Sequence, residues 1–488
     1  MIVCAGVLIA GARAAAAEPA ALRLADVIAV AVRQSPELER ARIDVAAARA
    51  QLLRAEGSED THLGAKATGL AVRTRAIDGA GEFEQREVTV EASARRTLPT
   101  GGTLSISAIG DRNDGVSILN GVPIDNTAVL RYSASVIVEL AQPLLRGAGP
   151  SAFEAPIRQA ARQKDASALA AQARARDLVV SLIQAYWEVA FAWRQLEVRK
   201  ASLELAEKQL AYTEGAIRSE KVARSEALAV QEAIAVRKQD VIAAEQEVYE
   251  RSLVLRQLGG LEIGPDAIAV QTEPLPEQVT AGDIDIAAVV REAYAHSAEL
   301  AGLEAARQAA EIGAAAADDA ARSRLDLDVA GGPQATASNA GTVLSRGLDP
   351  PGYSITASLT LDHAIERRTE RGGQQAARAA LLAARVSERD ARARLAVRAT
   401  RAVQRARAAL ASIALAGEAI ALAEQNIVAE QKRFELGKST NFEVLRRQDE
   451  LEQARLRHAI AVSDYALARA DLDGLSGTIL ARYGIVMP

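Results

Sequence analysis

The stretch YSITASLTLD, Tyr353 to Asp362, alternates apolar with polar side chains along its whole length. An extended strand points successive side chains to opposite faces, so this segment would have one apolar face and one face of hydroxyls. In a soluble sandwich the apolar face would enter a core. In a membrane barrel it would face lipid, and the hydroxyls would line a watery lumen. The rest of the chain has to decide between these structures.

The composition favours long helices over a compact core. The chain has 488 residues, of which 49% are hydrophobic but only 3% aromatic, and alanine is the commonest apolar residue. Alanine favours helix and close helix contact but buries little area. A net charge of -5 without a basic block does not indicate nucleic-acid binding. Cys4 is the one cysteine, which excludes a disulfide framework and a thiolate metal site.

The N-terminal sequence predicts export. A short apolar run followed by an Ala-x-Ala pattern predicts a signal peptide over residues 1–17, cleaved before Glu18. No later run approaches the roughly 20 apolar residues of a transmembrane helix, so a membrane would be crossed by strands.

The chain repeats one plan twice. The stretch Leu24–Leu38 recurs as Ile286–Leu300, and Tyr132–Gln142 alternates as Tyr353–Asp362 does. Heptads from Leu196 to Ile217 map onto Ile413 to Phe434 by one constant offset. Sustained heptads predict coiled coils, and a helix from about residue 154 to 217 would be roughly 95 Å long.

These patterns divide the chain as follows. The first repeat (18–258) would contain a helix, strands within 62–142, a long helix over 154–214 and a return helix over 224–258. After a linker (259–283), the second repeat (284–475) would contain a helix, strands within 323–365, a long helix over 370–433 and a return helix over 439–474. A tail would cover 476–488.

The strands predict an oligomer. Further alternating segments lie at Arg86–Arg95, Thr103–Ile109 and Arg324–Gly331, and they reach membrane-crossing length only if a turn such as Leu98–Gly102 is a bulge in a longer strand. Two crossing strands from each half give four per chain, too few to close a barrel. Open edges are not tolerated in lipid, so several chains would have to share one barrel.

Several motifs resemble the TolC family of outer-membrane efflux proteins, the outer membrane factors. They are the helix starts SPEL and SAEL, the strand end QPLLRG (Gln142 to Gly147) and the return motif KRFELGKSTNFEVLRRQDEL (Lys432 to Leu451). The resemblance covers nearly the whole chain in order, and it implies a mainly α fold with a membrane β-barrel portion. Four strands per chain would form a trimeric 12-stranded barrel that continues into long antiparallel coiled-coil helices forming an α-barrel across the periplasm.

The resemblance also implies the function and partners. The chain would be the passive exit duct of a tripartite efflux or type I secretion system in the cell outer membrane, extending into the periplasm. Its partners would be two more copies in a homotrimer, a periplasmic adaptor (membrane fusion) protein, an inner-membrane transporter and outer-membrane lipid, but no nucleic acid. No cofactor is implied. The exported substrate stays open, and drug efflux, metal efflux and protein secretion are all alternatives.

The site residues follow from the same resemblance. Glu443 and its first-half equivalent Glu226 would narrow the periplasmic entrance, where three acidic copies favour cations. Arg446 departs from the family pattern and would neutralise Glu443 at i+3. The tip that contacts the adaptor, and the transition from barrel to helix, would be formed by further residues. These are Gly437, Lys438, Ser439, Gly215 and Lys221 for the tip, and Gln142, Pro143 and Gly147 for the transition.

Other features favour ordinary interpretations. The arginines of Ser387–Arg407 could line a lumen or bind an anionic solute, but such arginines usually cover a solvated face. The four histidines lack a ligand spacing, and no nucleophile elbow, P-loop or zinc motif is present, so we predict neither an enzyme nor a metal site. The alternative to a duct is a periplasmic coiled-coil scaffold without a pore, which would have no use for the apolar face of Tyr353–Asp362.

Overall fold

The structure is a computed structural model that describes residues 21–75, 81–119, 122–123, 129–220, 223–261, 269–276, 284–346 and 352–485. The expected signal peptide, Lys221, and parts of the linker and the tail lie outside the described residues. The chain divides into two compact units. We call Met1–Asp44, Ala168–Ala301 and Asp390–Pro488 the helical unit, and residues 45–167 with 302–389 the strand unit.

Long helices follow the heptad segments. α4 has 64 residues, α9 has 68, and the return helices α5 and α10 have 35 each. The helices are α1 Leu24–Gln34, α2 Pro36–Glu56, α3 Pro150–Phe153, α4 Ala155–Arg218, α5 Ser225–Gly259, α6 Ile286–His296, α7 Ala298–Ala320, α8 Ala340–Arg346, α9 Arg368–Glu435, α10 Asn441–Leu475 and α11 Ile479–Arg482.

The strand unit contains one antiparallel sheet. Its strands are β1 His62–Arg75, β2 Gly81–Thr97, β3 Thr103–Leu119, β4 Val122–Pro123, β5 Val129–Pro143, β6 Arg324–Ala337 and β7 Gly352–Asp362. They lie in the order β1-β2-β3-β5-β6-β7, with the two-residue β4 paired to β3. The sheet therefore joins strands from both repeats through the β5–β6 pair.

The register places apolar side chains on one face. One row runs straight across the sheet and consists of Leu63, Ala94, Ile106, Val138, Gly331 and Ile355. The neighbouring row belongs to the opposite face and consists of His62, Arg95, Ser105, Glu139, Ala330 and Thr356. The alternation in Tyr353–Asp362 is thus continued across six strands, because a fixed register keeps side chains of one kind in line.

The sheet has more long strands than the four crossing strands expected per chain. Within the described ranges the sheet has six long strands, four of them from the first repeat. The segment Leu98–Gly102 is a hairpin turn between two 17-residue strands instead of a bulge. Its Leu98 N–H donates to Gly102 O at 2.7 Å, and Gly101 has a φ of 81°, which favours glycine. Each strand of this hairpin is long enough to cross a bilayer by itself.

The β5–β6 ladder is interrupted at one place. Pairing skips Val136 and Ile137 opposite Gly332 and Pro333. Pro333 has no N–H to donate, and a Cβ on Gly332 would collide with the carbonyl oxygen of Val136. The close approach of the two strands therefore depends on glycine at position 332.

The core of the helical unit consists of several small clusters. Ile28 of α1 packs on Val179 and Ile183 of α4, and Ala402 and Val403 of α9 pack on α10. Small side chains recur at these contacts, which lets the helices approach closely. Alanine-rich heptads therefore produce packed helix layers with little large-residue core.

One helix meets the length and composition of a membrane span. Among the described residues, α9 contains an 18-residue window with a mean hydropathy of 1.5, of which 11% is buried. The exposed leucines of this helix include Leu415 and Leu422, which are 66% and 61% exposed. This stretch was not expected from the search for long apolar runs, because alanine raises its mean hydropathy without a continuous run of large residues.

Candidate functional site at the helical turns

The turn between α9 and α10 contains three of the predicted tip residues. Gly437 has a φ of 68°, and its N–H donates to Phe434 O at 2.9 Å, while the Lys438 N–H donates to Arg433 O at 2.9 Å. These bonds satisfy the last carbonyls of α9 and end the helix. Gly437 and Lys438 are exposed, and Ser439 Oγ donates to the buried carboxylate of Glu430.

The turn between α4 and α5 lies beyond the expected helix end at residue 214, and therefore beyond Gly215. This residue lies inside α4, three residues before its end at Arg218, and its backbone is helical. The left-handed position is occupied by Glu220, with a φ of 52°. The offset that maps Leu196 onto Ile413 also maps Glu220 onto Gly437, so the two turns share a backbone shape although only one has glycine. Lys221 lies outside the described residues.

The predicted entrance acids lie in the first turns of the return helices. Glu443 is in α10 and Glu226 in α5, where the N-terminal end of a helix dipole favours a carboxylate. Arg446 Nη2 lies 3.1 Å from Glu443 Oε2, which is the i+3 pairing that the spacing predicts. Arg446 also lies 3.7 Å from Glu450, and Arg447 lies 2.7 Å from Glu450. The first turns of α10 therefore carry paired charges of both signs.

A buried amide joins the two turns. Asn441 is fully buried at the start of α10, and its Oδ1 accepts bonds from Gln209 Nε2 at 2.8 Å and Thr213 Oγ1 at 3.0 Å. Its Nδ2 donates to Glu226 Oε2 at 3.3 Å. The predicted residue Glu226 is thereby tied to α10, and its carboxylate is not simply presented to solvent.

The polar contacts continue along α10. Gln448 is 1% exposed and its Oε1 accepts from Arg237 Nη1 at 2.9 Å, while Arg237 Nη2 donates to Asp449 at 2.6 Å. One turn further, the buried Glu452 accepts from Arg199 and Ser202 of α4. We call Asn441, Gln448 and Glu452 with their partners the polar seam. Buried polar groups are costly when unpaired, so the seam holds α10 in one position against α4 and α5.

The sequence analysis did not identify the polar seam. Its signal was present, because Asn441 and Gln448 are seven residues apart beside the apolar heptad that includes Val444 and Leu451. A polar residue repeated at heptad spacing next to an apolar stripe indicates a buried hydrogen bond between helices.

The predicted transition residues form a compact junction in the strand unit. Gln142 Nε2 donates to Thr100 O at 3.1 Å, and Thr100 Oγ1 donates to Gln142 Oε1 at 2.8 Å. Pro143 ends β5, and Gly147, with a φ of 79°, donates its N–H to Asp319 Oδ2 at 2.8 Å. The segment Gln142–Gly147 thus folds back on the hairpin turn Leu98–Gly102.

The described ranges contain no group of three or more His, Cys, Asp or Glu side chains that could hold a metal ion. The geometry of the turns is one of helix ends, paired charges and buried hydrogen bonds. Such an arrangement holds the start of α10 against α4 and α5.

Comparison with solved structures identifies the fold. The outer membrane protein VceC from Vibrio cholerae has a TM-score of 0.67 at 16% identity, and the match covers 93% of this chain and 96% of that one. The outer-membrane channel OprN has a TM-score of 0.69 at 14% identity, covering 93% and 89%. The Campylobacter jejuni CmeC outer membrane channel has a TM-score of 0.67 at 13% identity, covering 93% and 85%.

No protein-family model matches the sequence, and no curated protein sequence matches it. The matches to solved structures show that the chain has the fold of these outer-membrane channels over almost its whole length. This is the TolC-like fold that the motifs of both repeats predicted.

Proposed function

We propose that this chain is the exit duct of a tripartite efflux or type I secretion system, located in the outer membrane and extending into the periplasm. In this proposal three copies form one channel. An inner-membrane transporter supplies the solute and a periplasmic adaptor holds the helical end of the duct.

The apolar face of the sheet carries the proposal. Leu63, Tyr353 and Ile355 on this face are 84%, 78% and 73% exposed. A face of this kind on a soluble protein would be a large aggregation-prone patch. Lipid is its natural partner, because the register leaves the opposite face to hydroxyls and charges that suit a watery lumen. The scaffold alternative does not account for this arrangement.

The open edges of the sheet support a shared barrel. In the described part of the chain β1 and β7 each pair on one side only, so their outer backbone groups would be unsatisfied in lipid. In the helical unit, α5 and α9 likewise each have an uncovered side, which carries the exposed Leu228 on α5 and the exposed Leu415 on α9. In a closed ring, one surface of each copy contacts a different surface of the next copy. The free edge of β1 could therefore pair with that of β7 in the neighbouring copy.

The width of the proposed barrel depends on how many strands of each copy enter it. Three copies that each contribute six strands would make an eighteen-stranded barrel instead of a twelve-stranded one. Barrel diameter grows roughly in proportion to strand number, so the lumen would be about 1.5-fold wider.

The turn between α9 and α10 supports a role in docking. Leu436 and Phe442, on either side of the glycine turn, are 71% and 67% exposed, and Lys438 between them is exposed as well. Exposed apolar side chains, an aromatic ring among them, are suited to a protein partner. We assign this surface, with Gly437 and Ser439, to the adaptor contact.

The proposed mechanism is passive. Solute diffuses through a water-filled tube, and the entrance opens when adaptor and transporter bind the open state more tightly than the closed state. Opening at this end would separate α10 from α4 and α5, so the polar seam would favour the closed state. The paired charges of Glu443 and Arg446 would then contribute little net charge at the entrance.

The deciding experiment is the native mass of the protein extracted from outer-membrane fractions in mild detergent, followed by conductance in a planar bilayer. A mass near three chains, each of at most 51.4 kDa, together with discrete channel currents, supports the duct. A protein found as monomer or dimer in the soluble periplasmic fraction would contradict it.

A further inference from the structure

An arginine-lined cavity lies in the helical unit, away from the turns. Its volume is about 520 Å³, and it is formed by α4, α9 and the end of α10. Arg398, Arg401 and Arg405 reach it from α9, and Arg176 reaches it from α4. Spacings of three and four residues place the three α9 side chains on one helix face. We call this cavity the arginine groove.

The acidic side chains of the groove neutralise it only in part. Four arginines stand against two aspartates in its lining. Asp177 pairs with Arg176 at 2.7 Å, whereas Asp471 lies 4.0 Å from Arg405. Glu299, at the margin, is 3.9 Å from both Arg176 and Arg398. Most of these separations exceed hydrogen-bond distance, so the guanidinium groups keep free donors.

Arg401 is the least neutralised of the four. Among the described residues it makes no ion pair or hydrogen bond, although it lies between Arg398 and Arg405 on the same face. Like charges at this spacing repel one another. An anion bound between these side chains would offset their mutual repulsion.

The groove lies on the uncovered face of the helix layer. On α4, Val179 and Ile183 pack toward α1, while Ser181 and Gln184 line the groove about half a helical turn away. On α9, Arg407 Nη2 donates to Ile284 O, next to α6, at 2.7 Å, and Arg405 is on the groove side. Because α1 and α6 cover one face of this layer, the groove opens on the other.

We propose that the arginine groove binds a soluble oxyanion with two or more carboxylate or phosphate groups, as a transit site on the lumen side of the duct. The inference rests on the proposed function, since the uncovered face becomes the lumen wall in a closed ring. Guanidinium forks bind carboxylate and phosphate in a bidentate manner, and cavities of about 300–1,000 Å³ hold small organic ligands. Anionic solutes would therefore be concentrated on the path.

The probe for this proposal is citrate. Full-length protein in detergent is titrated with citrate by calorimetry, and citrate block of the KCl current is measured in a planar bilayer. We expect binding and block by the unaltered protein. The double variant R401Q/R405Q should need at least about tenfold more citrate, because each lost charged hydrogen bond weakens binding by about that factor.

Three further variants sharpen the test. Asp471→Asn removes a competing carboxylate and should tighten citrate binding, while R401K/R405K keeps the charge but loses the fork and should give an intermediate affinity. The matched control is Arg407→Gln, on the same helix but facing α6, which should bind as the unaltered protein does. Native mass checks that each variant assembles.

The outcomes separate the two proposals. Channel current without citrate binding would overturn the transit site and leave the duct intact. The same result is expected if carboxylates of a neighbouring copy fill the groove. Binding without block would place the groove off the path and also overturn the inference. Absence of any current would refute the duct itself. Repeating the titration in phospholipid-free detergent distinguishes a soluble oxyanion from a lipid phosphate.

Discussion

Replacement of Asn441 by alanine should release the start of α10 from α4 and α5. Asn441 is fully buried and makes three side-chain hydrogen bonds, to Gln209, Thr213 and Glu226. After the change Thr213 keeps its bond to Gln209 O at 2.8 Å, but Gln209 Nε2 loses its acceptor. One buried donor is therefore left without its partner.

The expected cost follows from these contacts. A buried polar group left unsatisfied costs about 1–3 kcal/mol. Glu226 lies at the edge of the network and can turn to water, so we expect about 2 kcal/mol for the whole change. Since about 1.4 kcal/mol is a factor of ten, the start of α10 should open about 30-fold more often.

Hydrogen exchange of the assembled protein measures this opening directly. Backbone amides of the first three turns of α10 should exchange about 30-fold faster in Asn441→Ala, while those near Leu472 keep their protection. The matched control is Phe442→Ala, the next residue, which is 67% exposed and should leave exchange unchanged. Equal exchange in Asn441→Ala and the unaltered protein would show that the polar seam does not hold this helix.

Further predictions concern the turns, a buried phenol and the sheet. Glu220→Gly should stabilise its turn by about 1 kcal/mol and Gly437→Ala should destabilise its turn by a similar amount, measured by proteolysis at each turn, because both residues have a positive φ. Burial raises the pKa of Tyr186 to about 12, so stability should fall as pH rises from about 10 to 12, where the unfolded phenol loses its proton first. Tyr186→Phe should make this alkaline slope shallower in denaturant titrations, and the partly buried phenol of Tyr483, whose pKa is also raised, should account for part of the remaining slope. Gly332→Ala should reduce assembled oligomer on native gels, at a cost of at least about 1–3 kcal/mol, whereas Gly69→Ala, whose new Cβ meets open space, should assemble normally; equal yields would contradict the close approach of β5 and β6.

The two repeats could be recognised from local pattern. Heptads such as Leu196 to Ile217 depend on residues a few positions apart, and α4 and α9 follow them closely. The alternation of Tyr353–Asp362 likewise specified both faces of β7 before its neighbours were known. The i+3 pair of Glu443 and Arg446 is also a local contact, and it is present in the structure.

The number of strands and the positions of the turns were harder to predict from local sequence pattern. Whether Leu98–Gly102 is a bulge or a hairpin depends on which strands pair, so six strands were found where four were expected. The long helix was expected to end at residue 214, just before Gly215, yet α4 continues to Arg218 and Glu220 holds the left-handed position of the turn. Contacts of Leu210 and Thr213 with the return helices hold α4 in place as far as the turn just before that glycine.

The sequence by itself determined the period of each segment: helices with a seam, strands with two faces, and the duplication that relates them. Only the tertiary structure decided which distant side chains meet. Asn441 reaches Gln209, and Arg176 shares a groove with Arg401, across more than two hundred residues of chain. Periodicity is set by backbone geometry within a few residues, whereas a buried hydrogen bond or a charged cavity exists only when separate helices pack in one register.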